Sequence, residues 1–172
     1  MVPPEATRMP SDRRILVATA CLAGAACFAG CGLSEPPPDV TDLITALRGE
    51  TDDDRYGALA TLQELGADGA EAVPELKTML GRTKDDDLAA EIAKTLGAMG
   101  PAGAAAVPEL RSLLARKAMW PRYAAVDALG RMGPAAAPAL PAILALTKDP
   151  DREVAAAAVQ AARRLRRSQP RK

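Results

Sequence analysis

Histidine is absent from the 172-residue chain, and aromatic residues make up only 2% of it: one Trp, two Tyr and one Phe. Without histidine the commonest general base and a frequent zinc ligand are missing. All three cysteines, Cys21, Cys27 and Cys31, lie in the first 31 residues, so nothing beyond them supplies a thiol nucleophile or a disulfide. So few aromatics cannot fill an ordinary globular core. Alanine, leucine and valine supply the apolar material instead, and small side chains let helix axes approach closely. No stretch alternates apolar and polar residues for long or clusters β-branched residues, so no strands are expected. Glycine-rich phosphate loops are missing. The acidic runs Asp52-Asp53-Asp54 and Asp85-Asp86-Asp87 lack the alternating carboxylates, turn glycine and distal Glu of a calcium loop. Their place is at helix N-termini, capping free N–H groups and favouring the macrodipole. These absences lead us to expect no catalytic residue, no metal, no cofactor and no small-molecule substrate.

What is present is a repeat. LGAMGPAGAAAVPEL (residues 96–110) occurs earlier as LQELGADGAEAVPEL (62–76) and later as LGRMGPAAAPALPAI (129–143), at offsets of 34 and 33. A period of this length marks stacked supersecondary units. In each unit, apolar residues such as Ala58, Leu59, Leu62 and Leu65 follow helical spacing, and so do Val73, Leu76, Met79 and Leu80. Gly66, Gly100 and Gly133 separate the two segments and suit a left-handed residue closing the first helix. Pro74, Pro108 and Pro141 suit the first turn of the second helix. Residues 40–48 align with a second helix and form a half-repeat cap, and a final helix from Asp151 to about Arg166 closes the stack. Trp120, just before Pro121, is expected to pack against the preceding loop. Tyr56 and Tyr123, two units apart, are expected to be structural.

The block Pro121-Arg122-x-x-Ala125-Val126-x-Ala128-Leu129-Gly130, with Gly133-Pro134 and Leu140-Pro141 after it, resembles the HEAT repeat family in its short bacterial form. The resemblance covers residues 39–166 and implies an all-α fold, an α-solenoid of about four stacked antiparallel helical hairpins. Such solenoids serve mainly as extended binding surfaces. The family also includes lyases that attach bilins, and DNA glycosylases.

The start of the chain reads as an export signal. Arg13-Arg14 precede an apolar run over residues 15–29. As a helix that run spans about 22 Å, short of the ~30 Å hydrocarbon core of a bilayer. It ends in Phe28-Ala29-Gly30-Cys31, which resembles a bacterial lipobox. The expected organisation is a cleaved lipoprotein signal peptide over 1–30, lipidation of Cys31, a proline-stiffened tether over 31–38, the solenoid over 39–166 and a basic tail over 167–172. The location implied is the bacterial cell envelope, outside the cytoplasm and lipid-anchored.

From Cys31 onward the chain carries 19 basic and 20 acidic residues, a balance that disfavours nucleic acid as a partner. Residues 31–100 hold 6 basic and 15 acidic groups, whereas 101–172 hold 13 and 5. The expectation is therefore a membrane-tethered, non-catalytic scaffold or adaptor for protein partners, the alternative being a bilin-lyase-like or other HEAT-repeat enzyme. The resemblance implies that second helices line the concave side. Their non-core positions Asp42, Glu75, Thr78, Arg82, Glu109, Ser112 and Arg116 are then the partner-binding candidates.

Overall fold

The computed structural model describes residues 39–49 and 51–167. The signal, Cys31, the tether and the tail beyond Arg167 lie outside the described residues. Eight α-helices follow one another: α1 (Val40–Leu47), α2 (Asp52–Leu65), α3 (Val73–Arg82), α4 (Asp86–Ala98), α5 (Val107–Leu113), α6 (Met119–Met132), α7 (Leu140–Ala145) and α8 (Arg152–Arg167). Among the described residues there is no strand. The fold is the expected all-α stack. Within each unit α2 and α3, α4 and α5, and α6 and α7 are joined through a 3₁₀ segment. The consecutive helices that pack directly are α1 with α2, α3 with α4, α5 with α6 and α7 with α8, so α1 and α8 close the two ends.

Helix starts follow the local chemistry. Asp39 caps α1 by accepting from the Thr41 amide, and Asp85 caps α4 by accepting from Asp87 and Leu88. For α2 the cap is Thr51, whose hydroxyl oxygen accepts from the Asp54 amide at 3.2 Å. The first aspartate run therefore sits inside the first turn, where it faces the positive end of the dipole. The second supplies both the cap and two first-turn acids. The three prolines occupy the first turns of α3, α5 and α7.

Between the two helices of each unit the chain does more than turn. Gly66–Ala72, Gly100–Ala106 and Gly133–Ala139 are each a seven-residue 3₁₀ segment. Gly66, Gly100 and Gly133 have φ of 55°, 57° and 61°. The ψ values of −122° at Gly66 and −133° at Gly133 lie outside the left-handed helical well. They are near the first central position of a type II′ turn, a conformation that favours glycine. The segments then run close under the helices. A Cβ on Gly103 would lie 2.7 Å from the Leu96 carbonyl oxygen, and Ala72, Ala106 and Ala139 are fully buried.

One continuous core runs the length of the stack through Leu59, Leu62, Leu76, Ile92, Leu96, Leu110, Leu129 and Ile143, all without solvent access. The first-type helices α2, α4, α6 and α8 pack on one another far more intimately than α3, α5 and α7 do. Small residues make this possible. A Cβ added at Gly97 on α4 would meet the Ala128 Cα of α6 at 2.8 Å, and one at Gly130 would meet the Ala161 Cβ of α8 at 3.0 Å.

Candidate functional site

The close first-type row leaves shallow troughs over its exposed surface. Positions 33 or 34 residues apart come into register there: Asp53, Asp87, Trp120 and Glu153 in one column, and Tyr56, Ala90, Tyr123 and Ala156 in the next. Where alanine stands between larger side chains, the surface dips.

The first trough, between α6 and α8, has a volume of about 330 Å³ and is lined by Tyr123, Asp127, Glu153, Gln160 and Arg164 over an alanine floor. Asp127 accepts from Arg131 at 2.8 Å and faces Arg164 at 3.7 Å. A phenol, two carboxylates and a guanidinium thus share one open groove. The second trough, between α2, α4 and the start of α6, holds about 270 Å³ and is lined by Tyr56, Asp87, Ala90, Glu91, Lys94 and Trp120. Burial first, then the negative field of Asp85, Asp87, Asp52 and Glu91, holds the Tyr56 phenol above its ordinary pKa. Burial alone would raise the Glu91 carboxyl, but hydrogen bonds from Gln63 (2.6 Å) and Lys94 (2.9 Å) bring it below the ordinary value.

Trp120 separates the two troughs. It is not packed into the preceding loop as expected. Half of it is exposed (53%), and it meets Tyr123 edge-on at 6.2 Å, one helical turn along α6. Tyr56 is 38% exposed. These are the two large apolar side chains exposed among the described residues.

Of the seven candidates expected on second-type helices, Arg116 lies in the loop after α5, which ends at Leu113, and the seven divide into two groups. Asp42, Thr78, Arg82 and Ser112 are exposed, with Thr78 and Ser112 donating to carbonyls of their own helices. Glu75, Glu109 and Arg116 are engaged between units. Glu75 accepts from Arg48 at 2.6 Å, Glu109 faces Lys77 at 3.6 Å, and Arg116 donates to Asp86 at 2.8 Å and to the Thr83 carbonyl. These three act as struts along the stack. Cys31, the expected lipidation site, lies outside the described residues. Among the described residues no three of His, Cys, Asp and Glu gather to hold a metal ion.

Comparisons with known proteins point to one repeat family. Residues 121–149 match the PBS lyase HEAT-like repeat. The chain is similar, at 28% identity and a TM-score of 0.62, to a chain from the complex of CpcE and CpcF of phycocyanin lyase from Nostoc sp. PCC7120. That match covers 74% of this chain, which spans about half (53%) of the length of the other. An engineered protein matches at 20% identity and a TM-score of 0.58, over 72% of this chain and 61% of its own, and speaks for the fold alone. No curated protein matches.

Repeat, fold and the match over residues 121–149 agree on HEAT-like repeats, and the chain is similar in structure to a chain of the phycocyanin lyase complex. The expectation of a non-catalytic chain is overturned by the similarity to a phycocyanin lyase chain and the match to the PBS lyase HEAT-like repeat, which point toward lyases. Histidine is missing and no cysteine lies beyond Cys31, which removes two common chemistries from the repeat region. These absences do not exclude acid–base work by the carboxylates and phenols that the first-type row collects. The signal for these residues is their 33–34-residue spacing on the first-type helices.

Proposed function

We propose that this chain is a bilin-lyase-type subunit whose working face is the row of first-type helices. The observation that carries this reading is its 28% identity, over 74% of its length, to a chain of the phycocyanin lyase complex. The close packing of that row supports placing it on the inner side of the stack, since the inner row of a curved solenoid has the shorter spacing. The trough between α6 and α8 suits an acid-bearing tetrapyrrole. Arg164 offers a guanidinium to a propionate, and Tyr123 offers a ring face to a conjugated plane. Adding a protein thiol across a bilin double bond forms an S–C bond and moves the thiol proton to the neighbouring carbon. Asp127, Glu153 and Tyr123 are the groove's groups for carrying that proton. At about 330 Å³ the trough is near the lower end of small-molecule sites, so it holds one end of such a ligand and leaves the rest to a companion surface.

The test is chromophore attachment. Phycocyanobilin and an apo-phycocyanin acceptor are incubated with and without the full chain, and covalent bilin is read after denaturation. The chain should raise the rate, and Asp127→Asn combined with Glu153→Gln should remove most of the increase. An unchanged rate with the chain present would count against the reading.

The basic pair, apolar run and Phe28–Cys31 motif support a membrane tether for this activity. Each buried methylene contributes about 0.8 kcal/mol, so two or more acyl chains on Cys31 would anchor the protein stably. Cys31→Ala should move the chain from the membrane to the soluble fraction, with an unmodified N-terminus by mass spectrometry. Membrane retention of the variant, or a wild-type N-terminus elsewhere without lipid, would remove the anchor.

A further inference from the structure

We infer that the trough between α2, α4 and α6 docks an arginine- or lysine-bearing extended segment of a partner protein. The inference concerns a different groove from the proposed bilin site and does not depend on that reading.

Two features of the trough occur together nowhere else among the described residues. It presents the two exposed large apolar side chains, Tyr56 and Trp120, and it sets carboxylates of Asp87 and Glu91 beside them. Exposed aromatics with nothing charged nearby would suit an apolar partner, and carboxylates alone would be a solvated helix face. Ring faces flanked by carboxylates suit a cation, which is attracted to the aromatic quadrupole and to the negative charge at once. An arginine side chain matches best, because its plane stacks on a ring while its edge donates to a carboxylate. The wider field has the same sign. Asp52, Asp85 and Asp87 surround the Tyr56 phenol, and together with Glu91 they disfavour its ionisation. The one cation in the lining, Lys94, lies 2.9 Å from Glu91 and is engaged with it, which leaves Asp87 as the exposed carboxylate facing the groove.

The groove also has the form of a peptide track. Its floor is Ala90, where the next repeat unit has Tyr123, so the space between Tyr56 and Trp120 stays open. An extended chain crossing α2, α4 and α6 passes Tyr56, Asp87 and Trp120 in turn. Residues 31–100, which supply most of this surface, hold 6 basic against 15 acidic groups. Charge complementarity therefore favours a basic protein segment over an anionic lipid or nucleic acid, both of which this surface repels.

Trp120 is the only tryptophan in the chain and reports on its own groove. The probe is a short blocked peptide, acetyl-Gly-Arg-Gly-Arg-Gly-amide, titrated into the full chain while Trp120 emission is followed, with the Glu-for-Arg peptide as comparison. The Arg peptide should shift the emission saturably, the Glu peptide should not, and added salt should weaken the response. With a fluorescently labelled peptide, Asp87→Asn and Trp120→Ala should each weaken binding about tenfold. Asp68→Asn, the same charge change at an exposed site in the Gly66–Ala72 connector, should leave it unaltered. No saturable response overturns the inference. So does an equal loss in Asp68→Asn, which would reduce the effect to bulk charge, and so does unchanged affinity in Trp120→Ala.

Discussion

Arg122→Ala should lower the unfolding free energy by roughly 3–5 kcal/mol, the usual cost of removing one partner from a buried ion pair. The guanidinium donates to Asp149 through Nε at 3.0 Å and Nη2 at 2.8 Å, a bidentate pair whose side chains are 10% and 3% exposed. Its Nη1 donates to the carbonyls of Arg116, Lys117 and Ala118 at 3.2, 2.6 and 3.2 Å. One side chain thus ties the loop before α6 to the loop before α8. Deleting it strands the Asp149 carboxylate, which would keep only its bond from the Asp151 amide. In urea the midpoint should fall sharply.

The pair also carries a pH signature. The hydrogen bond from Arg122, reinforced by the Asp151 amide and opposed by burial, holds the Asp149 carboxyl below its ordinary range. A depressed folded pKa contributes stability that is present above the unfolded value of about 3.9 and is lost as pH falls through the folded value. The stability gap between wild type and Asp149→Asn should therefore be widest near neutrality and narrow below about pH 4. A gap that stays constant down to acid pH would show that the pair is not linked to Asp149 ionisation.

Leu96→Ala should cost roughly 2–5 kcal/mol, the range for emptying a packed leucine site. Leu96 has no solvent access and lies in α4 at the middle of the stack. Its backbone is pressed by the 3₁₀ segment at Gly103, 2.7 Å from where a Cβ would sit, so the site collapses poorly once the side chain is gone. The loss should appear as a lower urea midpoint with an unchanged slope. Met79→Ala, at a half-buried position on α3, should cost clearly less. Equal losses at the two positions would mean that the repeat register does not set burial.

The repeat made Leu96 legible, and with it the hairpins, the end caps and the proline positions. Spacing alone identifies which leucines face inward, because the same face recurs in every unit. The connectors were not legible. Segments such as GADGAEA carry little apolar periodicity, and their 3₁₀ path is set by close backbone contact that only the packed stack reveals. The site was harder still. Glu75, Glu109 and Arg116 look like open surface columns in the sequence, yet their partners Arg48, Lys77 and Asp86 lie 27 to 32 positions away. The place of Trp120 just before Pro121, at a helix start, suggests packing against the preceding loop. In the fold it stands at the edge of a groove whose other wall comes from α2, 64 positions back at Tyr56. The absent histidine points away from chemistry in the sequence, whereas carboxylate, phenol and guanidinium groups from separate units become neighbours only in the fold.

The claim that the first-type row is the working face is tested most directly by comparing arginines on the two faces. Phycocyanobilin bound in an asymmetric groove acquires circular dichroism in its visible bands, which the free pigment lacks, and the full chain can be titrated on that signal. Arg164→Ala, in the trough between α6 and α8, should weaken binding about tenfold, while Arg82→Ala, exposed on α3, should leave it unchanged. The opposite pattern, with Arg82→Ala damaging and Arg164→Ala silent, would move the working face to the second-type helices and contradict the account.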